Sequence, residues 1–270
     1  MNKEIKNINV LFIGDIFGES GIKKIEKEVP ILRKKYNVDL VIAQSENVSG
    51  RKGLDPKDYQ RLSQVGIDVF TLGNHAFAKS SILEIINEEN IIRPFNVNEG
   101  YEGKGTNIFV VNNIKVRVTS LLGITFNDLN TPWKQQQANN FFDAIDEIIK
   151  KDDSDFHIID FHAETTSEKN VLALYLDKTF PGKVSAIIGT HTHVQTNDSR
   201  RLKNNTLFIT DAGMTGPKDS AIGANFDEVY EKMRFNSKSR FVASLNKSQL
   251  NGVLLSLSKN SKSKIKTIKK

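Results

Sequence analysis

Short apolar runs alternate along the chain with longer stretches of helical spacing. INVLFIG is followed by an amphipathic segment from Ile22 to Tyr36, DLVIA by one from Asp55 to Val65, and DVFTLG by one from Ser81 to Glu89. Strand-length runs interleaved with period-3.6 segments predict an α/β fold. The helix starts carry local signals: Asp55 precedes a proline at the first helical position, and Ser81-x-x-Glu84 and Thr165-x-x-Glu168 have the form of capping boxes. Later runs, IFVVNNIKVRVTSLLG, FHIIDF, VSAIIGT and TLFITDAG, read as strands. Asn112-Asn113 within the first of them predicts a hairpin, and the middle of the chain is expected to be antiparallel. From Ala212 to Ser244 periodicity weakens while Gly, Ser and charge accumulate, which predicts a surface excursion or small cap before a last strand in GVLLSLS. There is no repeat and no clear linker, so residues 1–258 are expected to form a single domain, followed by a basic tail over 259–270.

The polar residues are informative through their positions. Five apolar runs each end in a polar cluster: Gly14-Asp15, Glu46-Asn47, Gly73-Asn74-His75, Asp160-Phe161-His162 and Gly189-Thr190-His191-Thr192-His193. Four of the five histidines fall in these clusters. In open α/β sheets the crevice beyond the carboxyl ends of the strands is the ligand site, so these groups are expected to converge. Carboxylates, amide oxygens and neutral imidazoles suit Mn, Fe, Zn or similar ions, and so many donors exceed what one ion needs while a pair sharing a carboxylate would use them. Taken singly, each cluster has a plainer reading: a turn or cap for Asp15, a left-handed turn for Gly73-Asn74-His75. His191-x-His193 is stronger, because residues two apart on an extended segment project to the same side. His157 lies inside its run and is expected to be a packing or surface histidine.

Composition narrows the chemistry. The 270 residues contain no cysteine, which excludes disulfides, iron–sulfur clusters and thiol nucleophiles. No apolar stretch approaches the roughly 20 residues of a membrane span, and MNKEIKN is no signal-peptide core, so a cytoplasmic protein is expected. The net charge of +6 is a property of the end of the chain: nine basic residues and no acid lie in 238–270, and without them the balance is −3. SKNSKSKIKTIKK is read as a solvated, frayed terminus, and RNA binding is not supported by the sequence.

The order Asp15, Glu46-Asn47, Gly73-Asn74-His75, His162, Gly189-Thr190-His191-Thr192-His193 resembles the calcineurin-like metallophosphoesterases, and within them the YmdB-like family of cyclic-nucleotide phosphodiesterases. The resemblance runs from Asn9 to about Ser220 through GDIFGESG, SENVSGRKGL, LGNHAF, RPFN, DFHAETTSEK and GTHTHVQTND. It implies a layered sandwich of two mixed β-sheets flanked by helices. It also implies that Asp15, Asn47 and His193 hold a first divalent ion, that Asn74, His162 and His191 hold a second, and that Glu46 bridges them. The wider superfamily usually has Asp-x-His in its first motif and a bridging aspartate; here Phe17 and Glu46 occupy those positions, departures the YmdB-like branch shares. With Asn47 in place of a histidine the first site is richer in oxygen, which favours Fe or Mn and leaves Zn or Mg possible.

Two such ions would generate hydroxide near neutral pH and neutralise charge on the phosphoryl oxygens. His75 is then the candidate proton donor to the leaving sugar oxygen, or else a group orienting Asn74 or a phosphate oxygen. The resemblance implies a small-molecule nucleotide substrate, a 2′,3′-cyclic nucleotide opened to the nucleoside 3′-phosphate, and makes a homo-oligomer plausible. The alternatives are a phosphomonoesterase or nucleotidase with the same metals, and a non-catalytic RNA- or protein-binding regulator. Asp160 and Glu164 are candidates to support ligating imidazoles from behind. Phe17, Phe77, Phe126 and Trp133 read as core or rim packing.

Overall fold

The computed structural model describes residues 7–270. The first sheet runs β15 (Lys264–Lys269), β14 (Asn251–Ser258), β1 (Asn7–Ile13), β3 (Leu40–Gln44), β4 (Val69–Thr71) and β5 (Ile91–Ile92). The second runs β10 (Arg200–Arg201), β11 (Leu207–Ile209), β9 (Ala186–Thr190), β8 (Phe156–His162), β7 (Ile114–Leu122) and β6 (Thr106–Val111). Both are mixed: β1, β3, β4 and β5 are parallel beside an antiparallel β14–β15 pair, and β7, β8, β9 and β11 are parallel between antiparallel edges. A small third sheet joins β13 (Ser248–Gln249), β12 (Met214–Pro217) and β2 (Asp15–Ile16).

Alternation along the strands explains how the sheets are buried. Val10 and Phe12 of β1 share one buried cluster with Ile158, Ile188 and Ile209 of the second sheet. Leu11 and Ile13 face the opposite way, toward Ile25, Val29 and Leu32 of α1 (Gly18–Tyr36) and Leu62 of α2 (Pro56–Val65). In β8, Ile159 and Phe161 pack with Phe141 and Ile145 of α3 (Phe141–Lys151) and Leu172 and Leu176 of α4 (Thr166–Thr179). Strands covered on both faces read as unbroken apolar runs, which is why they stood out in the sequence.

Two of the three helix-start signals act as expected, whereas Ser81 caps nothing, since its short helix starts after Lys79 with no side-chain cap. Asp55 caps α2 by accepting from the backbone N–H of Asp58 at 3.0 Å, and Thr165 caps α4. Asn112 and Asn113 both adopt positive φ in the β6–β7 hairpin, as a type I′ turn requires. Four further expectations need correction. Ser81 to Glu89 forms only a short 3-10 helix over Ser80–Glu84. The middle of the chain is antiparallel only at the hairpin, because α3 and α4 return the chain for parallel pairing. The end of the chain is not frayed: β15 pairs with β14 through six residues from Lys264 to Lys269 and buries Ile268. Lys264 and Lys266 alternate with half-buried Ile265 and Thr267 and, like Lys269, are exposed, charge that discourages further pairing along this edge. The excursion expected over 212–244 begins later, since Met214–Pro217 is buried in β12; the exposed part holds α5 (Phe226–Phe235). Among the described residues, no helix is long and apolar enough to cross a membrane.

Candidate metal centre

The carboxyl ends of both sheets' parallel strands open on one place. Asp15 follows β1, Glu46 and Asn47 follow β3, Asn74 and His75 follow β4, His162 ends β8, and His191 and His193 follow β9. Asp15 Oδ1 is 3.5 Å from His193 Nε2, and the side-chain amide of Asn47 is 3.5 Å from Asp15, 3.3 Å from His193 and 3.4 Å from Glu46 Oε1. On the other side of Glu46, His162 Nε2 lies 3.1 Å from Glu46 Oε1, 3.0 Å from Asn74 Oδ1 and 2.9 Å from His191 Nδ1. The seven residues thus fall into two groups of three with Glu46 between them. Gly73 makes this approach possible, because a Cβ there would come within 2.4 Å of the His162 ring and 2.5 Å of Glu46 Oε2.

The donor set fits cations. Thr190 donates to Asp160 Oδ1 at 2.6 Å, so its oxygen is free to accept from His162 Nδ1 at 2.9 Å. His162 Nε2 then faces three acceptors, Glu46 Oε1, Asn74 Oδ1 and His191 Nδ1, an arrangement that the single proton on Nε2 cannot satisfy and that a metal ion replacing this proton can. His193 Nδ1 donates to the Ile222 carbonyl at 2.9 Å, which likewise turns Nε2 toward Asp15. His191 reaches its partners through Nδ1 and presents Nε2 to Glu164 at 2.9 Å. At Asn47 a turn of the amide puts oxygen where nitrogen now stands, and the two atoms occupy equivalent volume. Glu46, His162 and His191 alone bring three ligand atoms within 4.8 Å of one another.

Electrostatics carry the same signature. Burial opposes the charge on Glu46, yet His162 and His75 hold its carboxyl well below the usual range. Burial also opposes Asp15, which His193 pulls down. Conversely His162 is raised to about 9, against burial, by Glu46. The buried carboxylates therefore draw positive charge from imidazoles, charge that cations would replace with release of protons. Asp160 is pushed up to about 7 by burial, and His191 down to about 4 by burial and by the charge of His162.

The backbone between the two last histidines is strained. His191 has φ 100° and His193 φ 65°, both in the left-handed region that disfavours residues with a Cβ. Asp211 holds the turn: its Oδ2 accepts from Thr192 N at 3.0 Å, Thr192 Oγ1 at 2.8 Å and Lys169 Nζ at 2.9 Å, and its Oδ1 accepts from Gly213 N at 2.8 Å. Lys169 and Asp211 are both fully buried. Neither was singled out in the sequence, although Lys169 shares the buried face of α4 with Leu172, Ala173 and Leu176, and Asp211 is a sixth polar strand tip, in TLFITDAG. The Ile222 carbonyl carries no sequence signal at all.

Other expectations sort clearly. His157 is a buried packing histidine, 2.8 Å from Thr119 Oγ1 and 3.1 Å from Asp152. Trp133 is buried in a cluster with Phe77 and Tyr101 and donates Nε1–H to the Asn74 carbonyl at 2.6 Å. Phe17 packs edge-on against His193. Phe126 is 86 % exposed and packs in no core, a correction.

A two-sheet α/β protein with carboxylate, amide and imidazole donors gathered at its strand ends belongs to the class of metal-dependent enzymes. The chain belongs to the YmdB-like family, whose sequence model, described as YmdB-like protein, matches residues 11–270. It is similar to the 2′,3′-cyclic-nucleotide 2′-phosphodiesterase of Bacillus subtilis strain 168, with 38 % identity over 96 % of this chain and 95 % of that one. It also resembles the crystal structure of a phosphatase from Mycoplasma pneumoniae, with 37 % identity and a TM-score of 0.90 over 99 % of this chain and 94 % of that one. A crystal structure of a protein from Thermus thermophilus matches at 33 % identity and TM-score 0.88, covering 97 % of this chain and 99 % of that one.

Proposed function

We propose that this hydrolase of phosphoric ester bonds is a phosphodiesterase that opens 2′,3′-cyclic nucleotides to nucleoside 3′-phosphates at a binuclear metal centre. The observation that carries the reading is the division of the seven donors about Glu46: Asp15, Asn47 and His193 on one side, Asn74, His162 and His191 on the other. These residues would hold two divalent ions, with Fe or Mn favoured by the oxygen-rich first group. When bound, the ions supply Lewis acidity and an activated water. The sandwich of a metallophosphoesterase suits the three buried clusters, one of them shared by both sheets. The family relative named as a 2′,3′-cyclic-nucleotide 2′-phosphodiesterase supports the choice of substrate.

The chain's own groups divide the remaining work. Glu46 is held by the His75 backbone N–H, which donates to Oε2 at 2.7 Å, so the carboxylate keeps one orientation. Glu164 and the Ile222 carbonyl orient the imidazoles of His191 and His193. His75 lines the pocket and is the candidate acid for the leaving oxygen. Burial, against the pull of Glu46, leaves it below the ordinary imidazole value. A second reading is favoured by a specific contact: His75 Nδ1 lies 3.4 Å from Asn74 Nδ2, which would aim Asn74 Oδ1 at His162.

The test compares initial rates on 2′,3′-cyclic AMP and on AMP at one Mn concentration. Conversion of the cyclic ester to 3′-AMP at the greater rate is expected; faster phosphate release from AMP would assign the protein to the nucleotidases.

A further inference from the structure

The excursion over 218–247 is fastened to the metal centre. Gly223, at φ 103°, lies so close to Phe17 that a Cβ would come within 2.7 Å of the ring, and the neighbouring Ile222 carbonyl accepts from His193. The segment then folds on itself, with Asn225 N donating to Val242 O at 2.8 Å and Ser244 N to Gly223 O at 2.9 Å. Between this flap and the donor cluster lies a cavity of about 490 Å³, within the usual size of a small-molecule cleft.

The cavity is divided by polarity. One wall is the donor cluster with Arg51 and Lys52 beside it; the other is Ile222, Val229, Met233 and Phe241 from the flap. Met233 is 82 % exposed and Ile222 60 % exposed, and Phe241 is half-buried with Lys232 Nζ 4.9 Å from its ring centroid, so part of this wall is apolar surface that the protein itself leaves uncovered. The Arg51 guanidinium lies 5.9 Å from the Phe241 ring centroid and joins the two walls. A nucleotide has the same polarity: a charged phosphate at one end and a flat, weakly polar heterocycle at the other. A phosphate ester of a small polyol would leave the flap wall wet.

We propose that Met233 and Phe241 form the nucleobase subsite of this pocket, an assignment that rests on the cyclic-nucleotide reading above. A base seated there is removed from water by the exposed Met233 and the half-buried Phe241, and the flap becomes the part of the molecule that separates nucleotides from other cyclic phosphates. The contacts are to the face and edge of the base through carbon and sulfur, so they select for a base without selecting which base.

The experiment measures kcat/KM on 2′,3′-cyclic AMP and on glycerol 1,2-cyclic phosphate, which has the same five-membered phosphodiester ring and no base. The readout is the ratio of the two constants in the wild type, Phe241→Ala and Met233→Ser, each checked for metal content and melting temperature. Each substitution is expected to lower the ratio, Phe241→Ala by about tenfold, equivalent to about 1.4 kcal/mol. Met233 is so exposed that its replacement does not threaten folding. An unchanged ratio in both variants overturns the subsite, whether both constants hold or fall together. Failure of the phosphodiesterase reading looks different: the wild type would leave both cyclic esters intact and cleave AMP. The same ratio is then taken between AMP and glycerol 3-phosphate, and again an unchanged ratio overturns the subsite.

Discussion

Lys169→Met removes the cation from a fully buried ion pair while keeping the length and apolar stem of the side chain. In the wild type, Asp211 accepts from Lys169 and from three other donors, two on Thr192 and one on Gly213. After the substitution the carboxylate remains buried with the neutral donors and no opposite charge. Breaking a buried pair from one side costs about 3–5 kcal/mol, and the three retained hydrogen bonds place this case near 3 kcal/mol. For a domain of this size that is about 6–12 °C in melting temperature. Heat and urea unfolding of the purified protein read it directly. Because Asp211 also holds the turn between His191 and His193 at its positive φ angles, the variant is expected to retain less metal than the wild type after dialysis. Adding Asp211→Asn removes the stranded charge and should recover about half of the lost stability. A Lys169→Met protein within about 1 kcal/mol of wild type, with full metal content, would refute the claim that this pair secures the turn.

Three further outcomes are expected. Glu46→Gln keeps the shape of the side chain and its bond from His75 N but not its charge; hydrolysis should be lost with the circular dichroism spectrum unchanged, and retained turnover would remove Glu46 from the centre of the site. His75→Ala should slow esters with poor leaving groups more than p-nitrophenolate esters, which need little protonation, whereas equal slowing would point to the orienting contact with Asn74. Burial, against the pull of Asp152, holds His157 below its ordinary value, and Asp152 lies well below its own despite burial because His157 and Arg117 pull it down. Both therefore stabilise the fold at neutral pH. The histidine's share begins to fall as pH drops below about 6.5 and the aspartate's below about 4, so unfolding free energy should decline in that order in an acid titration, and His157→Gln should remove the earlier part of the decline.

The legible parts of this molecule were those governed by short-range rules. Asp55 before Pro56, Thr165 before Glu168 and the paired asparagines of the hairpin act within a few residues, and the structure uses each of them as written. Strand tips were legible for another reason: a polar residue ending a doubly buried run has few places to go except the crevice beyond it. What sequence did not show depended on distance. Lys169 and Asp211 are 42 residues apart, and a lone lysine on an apolar helix face looks like an error until its partner arrives. The basic end of the chain misleads because its charge masks a short period: Lys264 to Thr267 alternate as an edge strand does, and β14 completes the pairing. This also changes what truncation can teach. Cutting at Lys238 would delete two strands of the first sheet, so loss of activity would report unfolding, and a regulator acting through its basic residues must be sought by neutralising surface lysines.

The flap is the least legible region and lies closest to the chemistry. Its weak periodicity follows from its position: a segment that covers no core has no partner to impose a 3.6-residue or 2-residue pattern, so Phe226, Met233 and Phe235 stay exposed on α5. Yet the one backbone carbonyl that fixes the tautomer of His193 comes from this segment, and the glycine beside it is the residue that lets the chain lie against Phe17. Orientation of a candidate ligand and the apolar wall of the pocket thus share a single attachment. A side chain at Gly223 would have to displace the Phe17 ring or the flap, and either movement shifts Ile222 O away from His193 Nδ1. Gly223→Ala should consequently lower metal affinity and nucleotide binding together, an effect at two places from one methyl group that independent sites would not show.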